Sequence, residues 1–188
     1  MKRSRLWLWL AAGFALAVLV ASRSARAQNV VLDVLGKRMY LSIPGMDKLK
    51  RLEARGGVPD LVPYQDDAGW GTIGFGHKIL PGESFDSIDE AQATAILAAD
   101  IRAAEDAVNA GVSVPISQAQ FDALVFFAFN VGAGAFTKST LLRKLNAGDA
   151  AGAAAEFARW NKSGGVVSPI LIARRDAEER LFSTGDYA

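Results

Sequence analysis

Hydrophobic residues fall into three regimes along this chain. From Leu6 to Ala21 they run unbroken by any charge, with Lys2, Arg3 and Arg5 before them and Arg23 and Arg26 after. From Val62 to His77 the apolar residues are strand formers (Val62, Tyr64, Trp70, Ile73, Phe75) set around Asp66-Asp67-Ala68-Gly69. That turn chemistry predicts a β-hairpin, and Gly71, Gly74 and Gly76 permit close backbone approach to a neighbour or a ligand. Elsewhere the spacing is helical. Leu49 and Leu52 mark a short helix over Met46–Arg55, stopped by Gly56-Gly57. Ser87-x-x-Glu90 reads as a capping box opening a long helix to about Asn109, and Ser117-x-x-Gln120 caps another through Asn130. In the second, Phe121, Leu124, Val125, Phe127 and Ala128 leave almost no polar face, which predicts a central position. Gly132 and Gly134 end it, and helices over Thr140–Asn146, Ala150–Trp160 and Ile170–Phe182 follow. One short strand region and a run of helices make an α+β chain that is mainly α.

The N-terminal regime is an address. A basic start, an apolar run of about 16 residues and the small-x-small triplet Ala25-Arg26-Ala27 form the three-part layout of a secretory signal. The run is shorter than the roughly 20 residues that span a bilayer comfortably. Two readings stay open for residues 1–27: a cleaved signal peptide, or a signal anchor that later leaves the membrane. Either places the remainder outside the cytoplasm, in the periplasm or beyond, and the second adds transient inner-membrane association through residues 6–21. Residues 28–45 read as a connector and 46–188 as the folded domain.

Charge changes with that address. The first 27 residues hold five basic and no acidic residues, so their removal turns the formal +1 into about −4, from 16 basic against 20 acidic. Such a balance excludes nucleic-acid binding through a basic surface. Cysteine is absent and His77 is the single histidine. Disulfides and thiolate catalysis are thereby excluded, and a zinc site has little support. No cofactor or metal is expected, and a monomer is.

The chemistry candidates are carboxylates. Cleaving a glycosidic bond takes an acid to protonate the leaving oxygen and a second carboxylate to activate water or attack. Glu53 lies in the last turn of its helix, where the helix dipole prefers a cation, and Asp66 lies in the hairpin. Taken by spacing alone, such a pair is an ordinary pair of surface charges.

Ordered motifs alter that weighing. Tyr64-Gln-Asp66-x-x-Gly69-x-x-Thr72-Ile-Gly74-x-Gly76-His77 resembles the signature hairpin of phage-type lysozymes, glycoside hydrolase family 24. Gln120-Phe-Asp-Ala-Leu124 through Phe129-Asn130-Val-Gly132-x-Gly134 resembles that family's central helix and glycine turn. Ser139-Thr140-Leu141-Leu142, Asn146-x-Gly148, Trp160 and Arg174-Arg175-x-Ala177-Glu178-x-x-Leu181 follow in order. The resemblance spans about Met46 to Phe182. It implies a two-lobed lysozyme-like fold, with a small hairpin lobe, a helical lobe and a cleft for a peptidoglycan strand between them. The implied reaction is hydrolysis of the β-1,4 bond between N-acetylmuramic acid and N-acetylglucosamine, in endolysin-type lysis of bacterial cells.

By the same resemblance Glu53 is the general acid, Asp66 the carboxylate that activates water or stabilises the transition state, and Thr72 the residue that positions the water. His77 would support the hairpin and line the substrate site with Phe129 and Asn130, and Arg174 or Arg175 would orient the acid. Trp70 fits either sugar contact or core packing, and Glu178 fits a salt bridge. The chain departs from the family at one place. The family's glutamate usually stands about seven residues before the tyrosine, where this chain has Gly57. An insertion resembling Gly-Gly-Val-Pro after the helix restores Glu53 to its place, with Asp60 as the alternative acid and Asp67 as a rival to Asp66. Two other functions compete: a lytic transglycosylase, which leaves Asp66 and Thr72 without a purpose, and a wall-binding or membrane-active protein without catalysis.

Overall fold

Ser42 opens the first helix. Its side chain accepts from the Gly45 N–H at 3.0 Å, and Pro44 occupies the first turn, where the backbone N–H has no helical partner to lose. Helix α1 (Ile43–Glu53) therefore begins three residues before the Met46 expected from apolar spacing, and Pro44-Gly45 belong to the helix, not to the connector. The computed structural model describes residues 38–188 apart from 55, 56 and 67, and residues 39–188 form one unit. The expectations for residues 1–37, the helix stop at Gly56 and the rival Asp67 lie outside the described residues.

Beyond α1 comes a three-stranded antiparallel sheet in the order β1 (Asp60–Gln65), β2 (Gly71–Gly74), β3 (His77–Lys78). The expected hairpin is its first pair, with Tyr64 opposite Thr72 and Gln65 opposite Gly71. The register slips between Asp60 and Tyr64. Pro63 lies in that stretch and has no N–H for the ladder. Strand β2 is buried and carries Ile73 into the core. Gly74, at φ +68, brings β2 against the next helix: a Cβ there would sit 3.5 Å from the Ala93 Cβ.

The long helix expected from Ser87 is two helices. Helix α2 (Glu90–Asp100) is capped by Asp89, whose carboxylate accepts from Gln92 N at 2.7 Å while the Gln92 side chain accepts from Asp89 N at 2.8 Å. The capping box thus lies two residues after the Ser87 reading. At Ile101 the N–H is shared between the Leu97 and Ala99 carbonyls, and α3 (Arg102–Gly111) starts afresh. Helix α4 (Gln118–Val131) has the Ser117–Gln120 box expected, with Phe121 to Ala128 all buried, and ends at Gly132 with φ +90. Short helices α5 (Ala133–Thr137), α6 (Thr140–Asn146) and α7 (Ala150–Ala154) follow, then a 3-10 turn over Phe157–Arg159. The expected helix from Ala150 to Trp160 therefore breaks in two, and Gly134 sits inside α5 instead of ending a helix. A two-residue hairpin, β4 (Lys162–Ser163) with β5 (Val166–Val167), leads into α8 (Pro169–Thr184).

Helix α4 packs against α3 and α8 at the centre of the helical part. Phe127 meets Phe136, Phe157 and Trp160 edge-on at 6.4, 5.3 and 5.3 Å. Residues 39–42 are fastened to the same helices by side chains. Asn109 accepts from Met39 N at 2.7 Å and donates back to Met39 O at 2.9 Å, Glu105 accepts from Leu41 N at 2.8 Å, and Gln118 donates to Tyr40 O at 2.9 Å. The fully buried Asp122 accepts from the Ser42 hydroxyl and, at 2.7 Å, from the Tyr187 hydroxyl.

Candidate active site

Glu53 is the last residue of α1, and the chain turns extended at Ala54. Lys50 and Arg51 suit the negative end of the helix; Glu53 does not. A partner from α8 answers it: Arg174 Nη2 donates to Glu53 Oε1 at 2.5 Å, with the two side chains 9% and 19% exposed. Of the two arginines the resemblance left open, Arg174 is thus the one beside Glu53. Arg175 points elsewhere. Its Nη2 donates to Asn130 Oδ1 at 2.8 Å, and its guanidinium lies 5.1 Å from the Phe127 ring centroid, a cation–π distance.

Both arginines converge on Glu178, a carboxylate with no solvent exposure. Arg174 Nε donates to its Oε1 at 3.2 Å and Arg175 Nη2 at 2.9 Å. Burial pushes the Glu178 carboxyl up to about 7 despite the opposing pull of Arg175 and Arg174, and burial likewise lowers Arg175 from its ordinary value. The other Glu178 oxygen, and Nε and Nη1 of Arg175, are buried without a hydrogen-bond partner. A row of charges therefore runs from Glu53 through Arg174, Glu178 and Arg175 to Asn130. The sequence reading took Glu178 for a salt-bridge residue and missed its place as the hub. The signal was an Arg-Arg pair followed by Glu at i+3 and i+4 on a helix that packs on the core.

The hairpin places Asp66 and Thr72 together. Asp66 Oδ1 accepts from Ala68 N at 2.9 Å and Trp70 N at 2.8 Å, the turn-forming habit of aspartate. The Trp70 carbonyl accepts from Asp66 N at 2.9 Å and from the Thr72 hydroxyl at 3.0 Å. One carbonyl thus joins the Asp66 backbone and the Thr72 side chain into one turn. Thr72 is buried, and with its proton committed its oxygen presents an acceptor. Lys50, one turn before Glu53, has its ammonium 5.5 Å from the ring centroid of Phe75, the residue after β2. Asp60 begins β1 opposite Gly74, exposed. Trp70 is exposed, with the Lys78 ammonium 5.3 Å from its ring centroid.

His77 ties the sheet to α2. Its Nδ1 lies 3.0 Å from both Asp100 carboxylate oxygens and its Nε2 3.0 Å from Glu83 Oε2. Burial works against its charge, but the hydrogen bonds to Glu83 and Asp100 outweigh it and hold the imidazole above its ordinary value. Phe129 is half-buried against the core, whereas Asn130 is exposed. Asn130 lines an open cavity of about 480 Å³ with Val131, Arg159, Trp160, Lys162, Ser163 and Leu171. The β4–β5 hairpin, which the sequence reading missed, supplies Lys162 and Ser163 to that cavity.

Comparison with known proteins identifies the family and the fold. The phage lysozyme family model matches residues 56–178, which begin after Glu53. An endolysin of Bacillus phage PZA is 43% identical over 152 residues, covering 78% of this chain and 56% of that protein. The chain thus spans about half the length of that relative, and of a second Bacillus phage endolysin, from phage B103. Among solved structures, an endolysin from Escherichia coli O157:H7 phage FAHEc1 superposes with a TM-score of 0.73 at 34% identity, covering 81% of this chain and 98% of that one. The muramidase domain of SpmX from Asticaccaulis excentricus gives 0.68 at 34% identity, over 78% and 99%.

Proposed function

This chain belongs to the phage lysozyme family, and from that premise we propose that it is a muramidase of the endolysin type, hydrolysing the β-1,4 bond between N-acetylmuramic acid and N-acetylglucosamine in peptidoglycan. The observation that carries the reading is the Glu53–Arg174 contact. The family match begins downstream of Glu53, so its role rests on geometry: a half-sheltered carboxyl at a helix end, oriented by a buried guanidinium, on a helix whose Lys50 reaches Phe75 just after β2. Asp60 has no such support, being the exposed first residue of β1.

In the proposed reaction the Glu53 carboxylic acid gives its proton to the bridging oxygen as the bond from C1 of the muramic residue breaks. Thr72 accepts a hydrogen bond from a water, Asp66 takes that water's proton, and the oxygen bonds to C1 from the opposite face. The turn occupies Asp66 Oδ1, which leaves Oδ2 as the base. The products are a reducing muramic end, with inverted configuration, and a free hydroxyl on the glucosamine. Arg174 orients the acid. His77, with both ring nitrogens bonded to carboxylates, supports the sheet under the substrate more than it contacts sugar. Asn130 and the cavity beside it extend the site along the helical side, with Phe129 behind them. The reading needs no cofactor, and a monomer suffices. The N-terminal address sends the domain to the cell wall, with residues 6–21 meeting the inner membrane in transit or as an anchor. An N-terminal mass on exported protein separates cleavage from anchoring.

Digestion of purified peptidoglycan followed by mass spectrometry tests the function. Reducing muramic ends are expected. Anhydro-muramic ends would overturn hydrolysis in favour of a lytic transglycosylase, and binding without turnover would leave a wall-binding module. Glu53→Gln is expected to lower kcat by roughly 10²–10⁴-fold with the fold intact.

A further inference from the structure

The proposed chemistry gives Glu178 nothing to do, yet no carboxylate in the site is more deeply buried and it grips both arginines. We propose that Glu178 is a positioning residue for Glu53, holding Arg174 through Nε so that Nη2 faces the acid, and balancing the charge of the arginine pair from inside the protein. The inference rests on the reading of Glu53 as the acid.

A guanidinium is a planar fork, so fixing Nε to one carboxylate fixes where Nη2 points. Glu178 Oε1 takes Arg174 Nε, and Nη2 of the same fork reaches Glu53. The second arginine on that oxygen runs to Asn130 at the cavity's edge. One buried carboxylate therefore sets the direction of groups at both ends of the site. Stability alone explains the cluster poorly. Buried ion pairs repay their desolvation only when the remaining donors and acceptors are satisfied, and here three buried polar atoms have no hydrogen-bond partner.

Charge makes the second part of the argument. Facing Glu178 are Arg174 and Arg175 on its own helix and Glu53 from α1. From α4 come the uncharged Asn130 and Phe127; the charged residue of that helix, Asp122, is taken by Ser42, Gln118 and Tyr187. The 3-10 turn packed on α8 contributes Arg159, which pairs with Glu156. Above about pH 7, where the Glu178 carboxyl is ionised, two cations and two anions share one sheltered space. With Glu178 uncharged, the arginines would have Glu53 alone to neutralise them, and their positive field would fall undivided on its carboxyl.

The test uses kcat and KM on purified peptidoglycan as a function of pH, in the full chain. Glu178→Gln keeps an acceptor for Arg174 Nε and loses the charge. The alkaline limb of its kcat profile is expected to move to lower pH by roughly 0.5–1 unit, with KM unchanged. Glu178→Asp keeps the charge and withdraws the oxygen by one methylene; kcat is expected to fall about 5–10-fold with the limb in place. A folded Glu178→Gln protein with the unmutated profile would overturn the charge role. An unchanged kcat in Glu178→Asp, or a Glu178→Asp chain that does not fold, would overturn positioning in favour of a purely structural role. Should Glu178→Gln not fold, Glu178→Asp decides. Glu53→Gln is measured alongside: full activity there would remove the acid and this proposal together, whereas an inactive Glu53→Gln with unmoved Glu178 variants would remove this proposal alone.

Discussion

Asp66 builds a turn and, in the proposed reaction, also serves as base, and its two oxygens would divide these tasks. Oδ1 builds the turn by accepting from Ala68 and Trp70, and Oδ2 is the oxygen assigned to the proposed chemistry. Asp66→Asn separates the tasks, because the amide oxygen still accepts both N–H groups while basicity is lost. The expected result is a melting temperature close to that of the unmutated protein and a kcat lowered by roughly 10²-fold or more, measured by calorimetry and by release of reducing ends. A collapse in stability would mean that the turn needs the charge. The place of Asp66 and Thr72 in one hairpin was legible in the sequence from its turn chemistry, while their proposed roles came from the family resemblance. Arg174 was half legible: its motif named two arginines, and only the helical phase of α8 against α1 selects between them. Glu178 was not legible, because a glutamate on a helix gives no local sign that it faces inward.

Backbone chemistry guided the reading of elements unevenly: the Ser87–Glu90 box was placed two residues before the Asp89–Gln92 box that opens α2. The Ser117–Gln120 box starts α4 where expected, since a cap is a contact between neighbours in sequence. The boundary between α2 and α3 escaped because no glycine or proline marks Ile101, whose N–H is shared between the Leu97 and Ala99 carbonyls and whose side chain is buried. The β4–β5 hairpin escaped because its strands have two residues each, although Gly164-Gly165 between Ser163 and Val166 is turn chemistry. Packing of α4 yields two predictions. Phe127→Ala removes the ring that Phe136, Phe157, Trp160 and Arg175 all contact. It is expected to cost about 3–5 kcal/mol in a denaturant titration. Gly45→Ala would put a Cβ 2.5 Å from Asp122 Oδ2. A cost of roughly 1–3 kcal/mol is expected in the same titration, since the fully buried carboxylate has little room to move.

Over the whole molecule, the shifted groups shape the pH dependence of stability. Burial raises Glu178 from 4.5 to about 7, so its contribution is complete below about 4.5 and is lost as pH rises through 7. His77 is also raised, by Glu83 and Asp100 against the effect of burial. Its contribution is present below 6.5 and lost as pH climbs past the folded value. Glu83 is lowered, by the Leu80 N–H and then by His77, so its contribution is present above 4.5 and fades in acid. Together they place the stability maximum at mildly acidic pH, to be read from melting temperatures between pH 4 and 8. His77→Gln is expected to flatten the alkaline slope; an unchanged slope would remove His77 from the account.

Helix α1 is pinned at both ends to a single pair of helices: Ser42 to Asp122 on α4, and Glu53 to Arg174 on α8, with α4 and α8 packed on each other. In amide hydrogen exchange such a helix is expected not to fray from its ends. Its protected amides share one opening, that of the α4–α8 pair, and exchange with the slow class of the protein. Cutting the pin at Glu53, as in Arg174→Met, turns the last turn of α1 into an independently opening segment. Its amides would speed up while those near Ser42 keep their rate.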